Sequence, residues 1–202
     1  MQQLYSFLAL GDSYTIGEAL PLSESFPYQA VQMLRKKGLD FAAPEIIAKT
    51  GWTTDELQNS ISKYKFQPRY DFVSLLIGVN NQYRGREAMS YKMEFEKLMK
   101  RSISLANEKP SHVFVISIPD YSVTPFASAM DIEKIAREID IFNNINKAVS
   151  IQYKTQYIDI TPGSKEAAND EALVAPDKLH PSSKEYKKWA LKVSGKIARL
   201  LK

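Results

Sequence analysis

The chain has 202 residues, 44% hydrophobic and 25% charged, a length that suits one domain with its own core, and we expect a single domain over residues 1–202. It has no cysteine, which excludes disulfides, thiolate catalysis and cysteine-ligated zinc, and its two histidines, His112 and His180, are too few for a histidine-rich metal site. The net charge of +4 is mild and scattered, enriched only from Lys184 to Lys202, and no apolar run reaches the about 18 residues that span a bilayer, so neither a nucleic-acid partner nor a transmembrane segment is expected.

The first apolar run, Tyr5–Leu10, stops at Gly11-Asp12-Ser13-Tyr14. Similar runs recur at Glu45–Ala48, Phe72–Ile77, Val113–Ile118 and Gln156–Ile160. They are nearly continuous in apolar character, the pattern of strands buried on both faces of a parallel sheet. Helical patterns lie between them. After Trp52, the residues Leu57, Ile61 and Tyr64 recur at helical spacing behind a capping box of Thr53 and Glu56. Met89 to Asn107 and Asp131 to Tyr153 are longer helical segments, and Ile135, Ile139, Phe142 and Val149 share one face of the second. A last helix starts after Pro181 behind Ser182 and Glu185, a second capping box, and its apolar side carries Tyr186, Trp189 or Ala190, Val193, Ile197 and Leu200.

Five strands alternating with helices predict an α/β fold, a three-layer α/β/α sandwich around a five-stranded parallel sheet. Ligands in such folds bind beyond the carboxyl ends of the strands. The strand-end segments are therefore read together: Gly11-Asp12-Ser13, Lys49-Thr50-Gly51-Trp52, Gly78-Val79-Asn80-Asn81, Pro119-Asp120-Tyr121 and Asp177-Lys178-Leu179-His180-Pro181. One edge collects a serine, a glycine, an asparagine, an aspartate and a histidine. A serine hydroxyl needs a base, a histidine supplies one, a carboxylate orients the imidazole, and backbone N–H groups with an asparagine amide stabilise an oxyanion. His112 opens the fourth strand, away from this edge, and is read as a strand-start histidine near the surface.

Each segment alone is ordinary turn or loop chemistry, but their order resembles the SGNH hydrolase, or GDSL lipase/esterase, family. Gly11-Asp12-Ser13 matches its serine block, Gly51 stands where its glycine block is expected, Gly78-Val79-Asn80 matches its asparagine block, and Asp177 to His180 with Pro181 matches its Asp-x-x-His-Pro block. Tyr14 replaces the leucine of the family name, and Asn81 stands where many members have aspartate. The resemblance implies a flavodoxin-like SGNH hydrolase fold with no cofactor and no metal. It implies a serine esterase acting through an acyl-enzyme: Ser13, Asp177 and His180 are catalytic, and Ser13, Gly51 and Asn80 form the oxyanion hole.

Asp12 is a rival for the triad acid; it ranks below Asp177 because it neighbours a serine that must point into the site. Tyr14, Asn81 and Tyr83 are candidate substrate contacts, while Arg84 and Arg86 either bind an anionic substrate or pair with acidic neighbours. The expected partner is a small-molecule ester, short-chain or acetyl, with no nucleic acid. An acyltransferase using the same acyl-enzyme and a non-catalytic flavodoxin-like binding module, with Thr50-Gly51-Trp52-Thr53-Thr54 as its anion loop, stand as alternatives. Without a signal-peptide pattern the expected location is cytoplasmic.

Overall fold

A computed structural model describes residues 3–201. Its strands are β1 (Phe7–Asp12), β2 (Glu45–Lys49), β3 (Phe72–Leu76), β4 (Val113–Ile116) and β5 (Gln156–Ile158). They form one sheet in the order β2-β1-β3-β4-β5 with every neighbouring pair parallel. Every residue of β1, β3 and β4 is buried, as their continuous apolar character requires.

The strand ends differ from expectation by one or two residues. β1 starts at Phe7, with Tyr5 left in a single bridge to Phe41, and runs on through Gly11 and Asp12. Pairing carries it past its apolar stretch: Gly11 lies between Ala48 and Leu76, and Asp12 is in register with Lys49. β2 gains Lys49, whereas β3, β4 and β5 end at Leu76, Ile116 and Ile158, before Ile77, Ile118 and Ile160, which are buried outside the strands.

The helices are α1 (Ser13–Ile16), α2 (Phe26–Lys36), α3 (Thr54–Lys63), α4 (Val79–Tyr83), α5 (Ala88–Leu105), α6 (Ile132–Gln152), α7 (Thr161–Ser164) and α8 (Ser183–Leu200). α2 packs on α8, and α3, α5 and α6 pack in sequence, so helices cover both sides of the sheet. α2 is not among the expected helices, although its buried Phe26, Ala30, Val31 and Leu34 follow helical spacing. Glu56 reaches back to the Thr53 N–H at 2.9 Å and so makes its half of the first capping box. The second box is half made. Ser182 accepts from the Glu185 N–H at 3.4 Å, but Glu185 turns inward to take the indole N–H of buried Trp189, one turn on, at 2.9 Å. A buried indole needs an acceptor, and that need outweighs the cap.

The chain enters the sheet at β1, moves to one edge with β2 and returns on the other side of β1 with β3. The connections after β1 and β3 therefore diverge, leaving a crevice at their carboxyl ends.

Candidate active site

Ser13 leaves the sheet as the first residue of α1. Asp12, still extended, caps that helix by accepting the Tyr14 N–H at 3.0 Å, and Gly17 closes it in the left-handed region at φ 78°. The Ser13 N–H thus heads a helix, without an intrahelical acceptor. Its Oγ lies 2.9 Å from His180 Nε2.

His180 comes from the loop before α8, and the local chain explains how a residue three positions earlier reaches its ring. Asp177 Oδ1 accepts the N–H groups of both Leu179 and His180 at 3.0 Å, while Lys178 between them takes φ 64°. This Asx turn folds the carboxylate back over the loop. Its second oxygen, Oδ2, then meets His180 Nδ1 at 2.6 Å. With the Nδ1 proton given to Asp177, Nε2 is the acceptor for the Ser13 hydroxyl. Burial works against the Asp177 carboxylate, but hydrogen bonds from the His180 ring and from the His180 and Leu179 N–H groups hold its pKa below the ordinary value. Tyr14 packs on the imidazole, with ring centres 4.9 Å apart.

The sheet brings two further groups beside this chain of hydrogen bonds. Lys49 to Trp52 form a turn closed by the Trp52 N–H on the Lys49 carbonyl at 3.2 Å, with Gly51 at its third position. Gly51 takes φ +82°, as a type II turn requires. Asn80 lies on α4, where a loop was expected. Gly78 makes that helix start possible: its φ is 135°, and a Cβ there would sit 2.5 Å from the Tyr91 hydroxyl. Asn80 Nδ2 donates to the Trp52 carbonyl at 3.0 Å and, more weakly, to Asp12 Oδ2 at 3.4 Å.

Asp12, the rival carboxylate, therefore faces Asn80 and not His180. Burial pushes its pKa up to about 7, against the opposing effect of the Tyr14 N–H and the Asn80 amide. It retains the helix-capping role that a turn aspartate performs.

An open cleft of about 170 Å³ exposes this edge. Ser13, Gly51, Asn80 and His180 line it together with Tyr14, Val79, Tyr83, Tyr121, Phe126 and Leu179, a predominantly apolar wall. Ser13 and His180 are only 4% and 6% exposed, so the hydrogen bond between them is largely shielded from water. Phe126 and Leu179 were not among the expected contacts; nothing but their place in strand-end loops marks them.

Asn81, expected to touch substrate, is instead buried away from the cleft. It accepts the Thr54 N–H at 3.0 Å and donates to the Thr54 hydroxyl at 2.7 Å. An amide can satisfy this adjacent donor and acceptor together; a carboxylate could only accept. Arg84 pairs with Glu56 at 3.0 Å and Arg86 with Asp55 at 4.0 Å, so both have acidic neighbours. His112 lies at the opposite end of the sheet, stacked on Phe72. Among the described residues no cluster of three or more histidine, aspartate or glutamate side chains could hold a metal, and no helix is long and apolar enough to cross a membrane.

The model of the GDSL-like lipase/acylhydrolase family matches residues 9–188. Among solved structures, the chain is similar to a lipase/acylhydrolase from Enterococcus faecalis (TM-score 0.79, 17% identity, covering 97% of this chain and 96% of that one). It is also similar to Axe2, an acetylxylan esterase from Geobacillus stearothermophilus (TM-score 0.75, 16% identity, 96% and 94% covered). A third is the psychrotrophic esterase EstA from Pseudoalteromonas sp., solved inhibited by monoethylphosphonate (TM-score 0.69, 16% identity, 97% and 98% covered). No curated protein matches the sequence significantly.

Proposed function

Because this chain belongs to the GDSL-like lipase/acylhydrolase family, we propose that it hydrolyses a small carboxylic ester through an acyl-enzyme on Ser13. The observation that carries this reading is the chain of contacts Ser13 Oγ to His180 Nε2 at 2.9 Å and His180 Nδ1 to Asp177 Oδ2 at 2.6 Å, opening on a cleft. His180 takes the Ser13 proton as the oxygen attacks the ester carbonyl, and Asp177 stabilises the imidazolium that forms. The Ser13 N–H, the Gly51 N–H and the Asn80 amide stabilise the oxyanion. The long Asn80 contact with Asp12 is the one an oxyanion replaces most readily; the shorter bond to Trp52 keeps the amide in place. His180 returns the proton to the departing alcohol. Water then attacks the acyl-enzyme with His180 again as base. These steps need no metal or organic cofactor.

The cleft's small volume, about 170 Å³, favours a short acyl group, acetyl included, and its apolar wall suits the acyl carbons. The test is hydrolysis of p-nitrophenyl acetate, butyrate and octanoate by the wild type and Ser13→Ala. We expect acetate and butyrate to be favoured and the variant to lose about 10⁴-fold or more in kcat/KM. Equal activity in the two proteins would overturn the proposal, and a preference for octanoate would overturn the chain-length assignment.

A further inference from the structure

The structure assigns Arg84 as a positioning residue: we propose that its guanidinium holds the Gly51 turn in register with the Asn80 helix and so sets the shape of the oxyanion hole. The proposal rests on the reading of Gly51 and Asn80 as oxyanion donors. Its starting point is that these donors come from separate elements, the turn after β2 and the helix after β3, and their relative placement is not determined by either element alone.

Arg84 caps the carboxyl end of α4, with its N–H on the Asn80 carbonyl at 3.1 Å. Its side chain returns over the neighbouring loop. Nη2 donates to the Gly51 carbonyl at 2.6 Å, and Nη1 pairs with Glu56 Oε1 at 3.0 Å. Glu56 is itself held, its Oε2 taking the Thr53 N–H at 2.9 Å. The Thr53 N–H and the Arg84 guanidinium keep the Glu56 carboxyl below its ordinary pKa, so the pair is charged at neutral pH. The planar guanidinium thus joins three points: the end of α4, the Gly51 carbonyl and the start of α3. A second tether runs parallel to it, from Asn81 to Thr54.

The carbonyl matters because of the residue that bears it. Glycine has more accessible backbone conformations than any other residue, and Gly51 at φ +82° has no side chain packed against a wall to choose among them. The Gly51 carbonyl shares a peptide plane with the Trp52 N–H, so Arg84 on the carbonyl and the Lys49 carbonyl on that N–H together hold the plane that follows Gly51, and with it the turn that carries the Gly51 N–H. Arg84 does not line the cleft that Gly51 and Asn80 line, so its hold on the Gly51 carbonyl is made outside the lining. As an ion pair, Arg84 with Glu56 is about 40% exposed on each side and is worth little to stability. A positioning role and a stabilising role are therefore separable.

The experiment compares wild type, Arg84→Ala, Arg84→Lys and Glu56→Gln on two esters, neutral p-nitrophenyl acetate and the anionic p-nitrophenyl hemisuccinate. Ser13→Ala is the blank. Alongside, the rate at which a p-nitrophenyl alkylphosphonate modifies Ser13 is measured, since its phosphoryl oxygen takes the oxyanion position. We expect Arg84→Ala to lower kcat about 10- to 100-fold on both esters with KM changed less than about twofold. Phosphonylation should slow in parallel, Arg84→Lys and Glu56→Gln should fall between, and melting temperature should shift by only a few degrees. A rise in KM confined to the hemisuccinate would overturn the proposal and make Arg84 a substrate anchor. Unchanged kinetics and phosphonylation in all three variants would also overturn it. If Ser13→Ala matches the wild type, the acyl-enzyme reading fails and this inference fails with it. If Arg84→Ala does not fold, Glu56→Gln and Arg84→Lys decide the matter by the same readouts.

Discussion

Each end of the sheet brings together a serine, an aspartate and a histidine, and the two trios are connected in different orders. At the carboxyl end Ser13 contacts His180, which contacts Asp177. At the amino end Ser6 donates its hydroxyl directly to Asp71 Oδ2 at 2.9 Å, and its N–H goes to the same oxygen at 2.7 Å. His112 does not meet that serine: its Nδ1 donates to the Asp71 backbone carbonyl at 2.8 Å, and its ring stacks on Phe72 with centres 4.9 Å apart. A carboxylate is too weak a base to take a serine proton near neutral pH, so the amino-end trio is a strand brace. The carboxyl-end trio places a histidine between the hydroxyl and the carboxylate and opens on a cleft. Residue type does not distinguish the two sets; connectivity and the sheet edge do.

The contrast can be broken most decisively through the histidines. His180→Ala should lower kcat/KM about 10⁴-fold or more, while His112→Ala should leave it within about twofold and cost about 1–2 kcal/mol of stability. Ester hydrolysis and urea unfolding of both variants measure this, and comparable rate losses would erase the distinction. The aspartates sharpen it at smaller scale. Asp177→Asn should cost about 10²- to 10⁴-fold in kcat through loss of the imidazole's orientation and charge partner. Asp71→Asn should leave kcat intact and lower stability by about 1 kcal/mol, since its amide oxygen still accepts from Ser6 but without the charge. A large loss of turnover in Asp71→Asn would mean the amino end takes part in the chemistry.

A pH dependence of stability, without a change in turnover, also belongs to the carboxyl end. Burial raises the pKa of Asp12 to about 7 in the folded chain, against about 4 unfolded. Between these values the folded state holds a proton that the unfolded state has released, so stability falls as pH rises from about 4 to 7. Asp177 is shifted the other way. Its contribution is present above the ordinary carboxylate range and is lost as pH falls below about 4. Urea midpoints at pH 5 and pH 8 should therefore show the wild type losing stability relative to Asp12→Asn on going to pH 8. A difference between the two proteins that does not change with pH would contradict the burial argument.

Much of this organisation was legible in the chain. Nearly continuous apolar runs such as Phe72–Leu76, broken only by Ser74, suit strands buried on both faces, and Leu57 and Ile61 share one face of a helix. These are local properties, set by neighbours within one turn or one pleat, and the order of the blocks from Gly11 to Pro181 added the family. The gathering of Ser13, Gly51, Asn80 and His180 at one edge followed from their places after successive parallel strands.

Only the tertiary structure decided which carboxylate meets His180, since Asp12 adjoins Ser13 and Asp177 lies three residues before His180, and the choice depends on a loop folding back on itself. It alone turned Asn81 from a substrate contact into a tether on Thr54, sent Glu185 to Trp189 and not to its own helix cap, and brought Arg84 onto a carbonyl 33 residues away. Hydrogen bonds between distant segments leave no periodicity in a sequence. They depend on which buried donors and acceptors folding leaves facing each other, and that is settled when the elements pack.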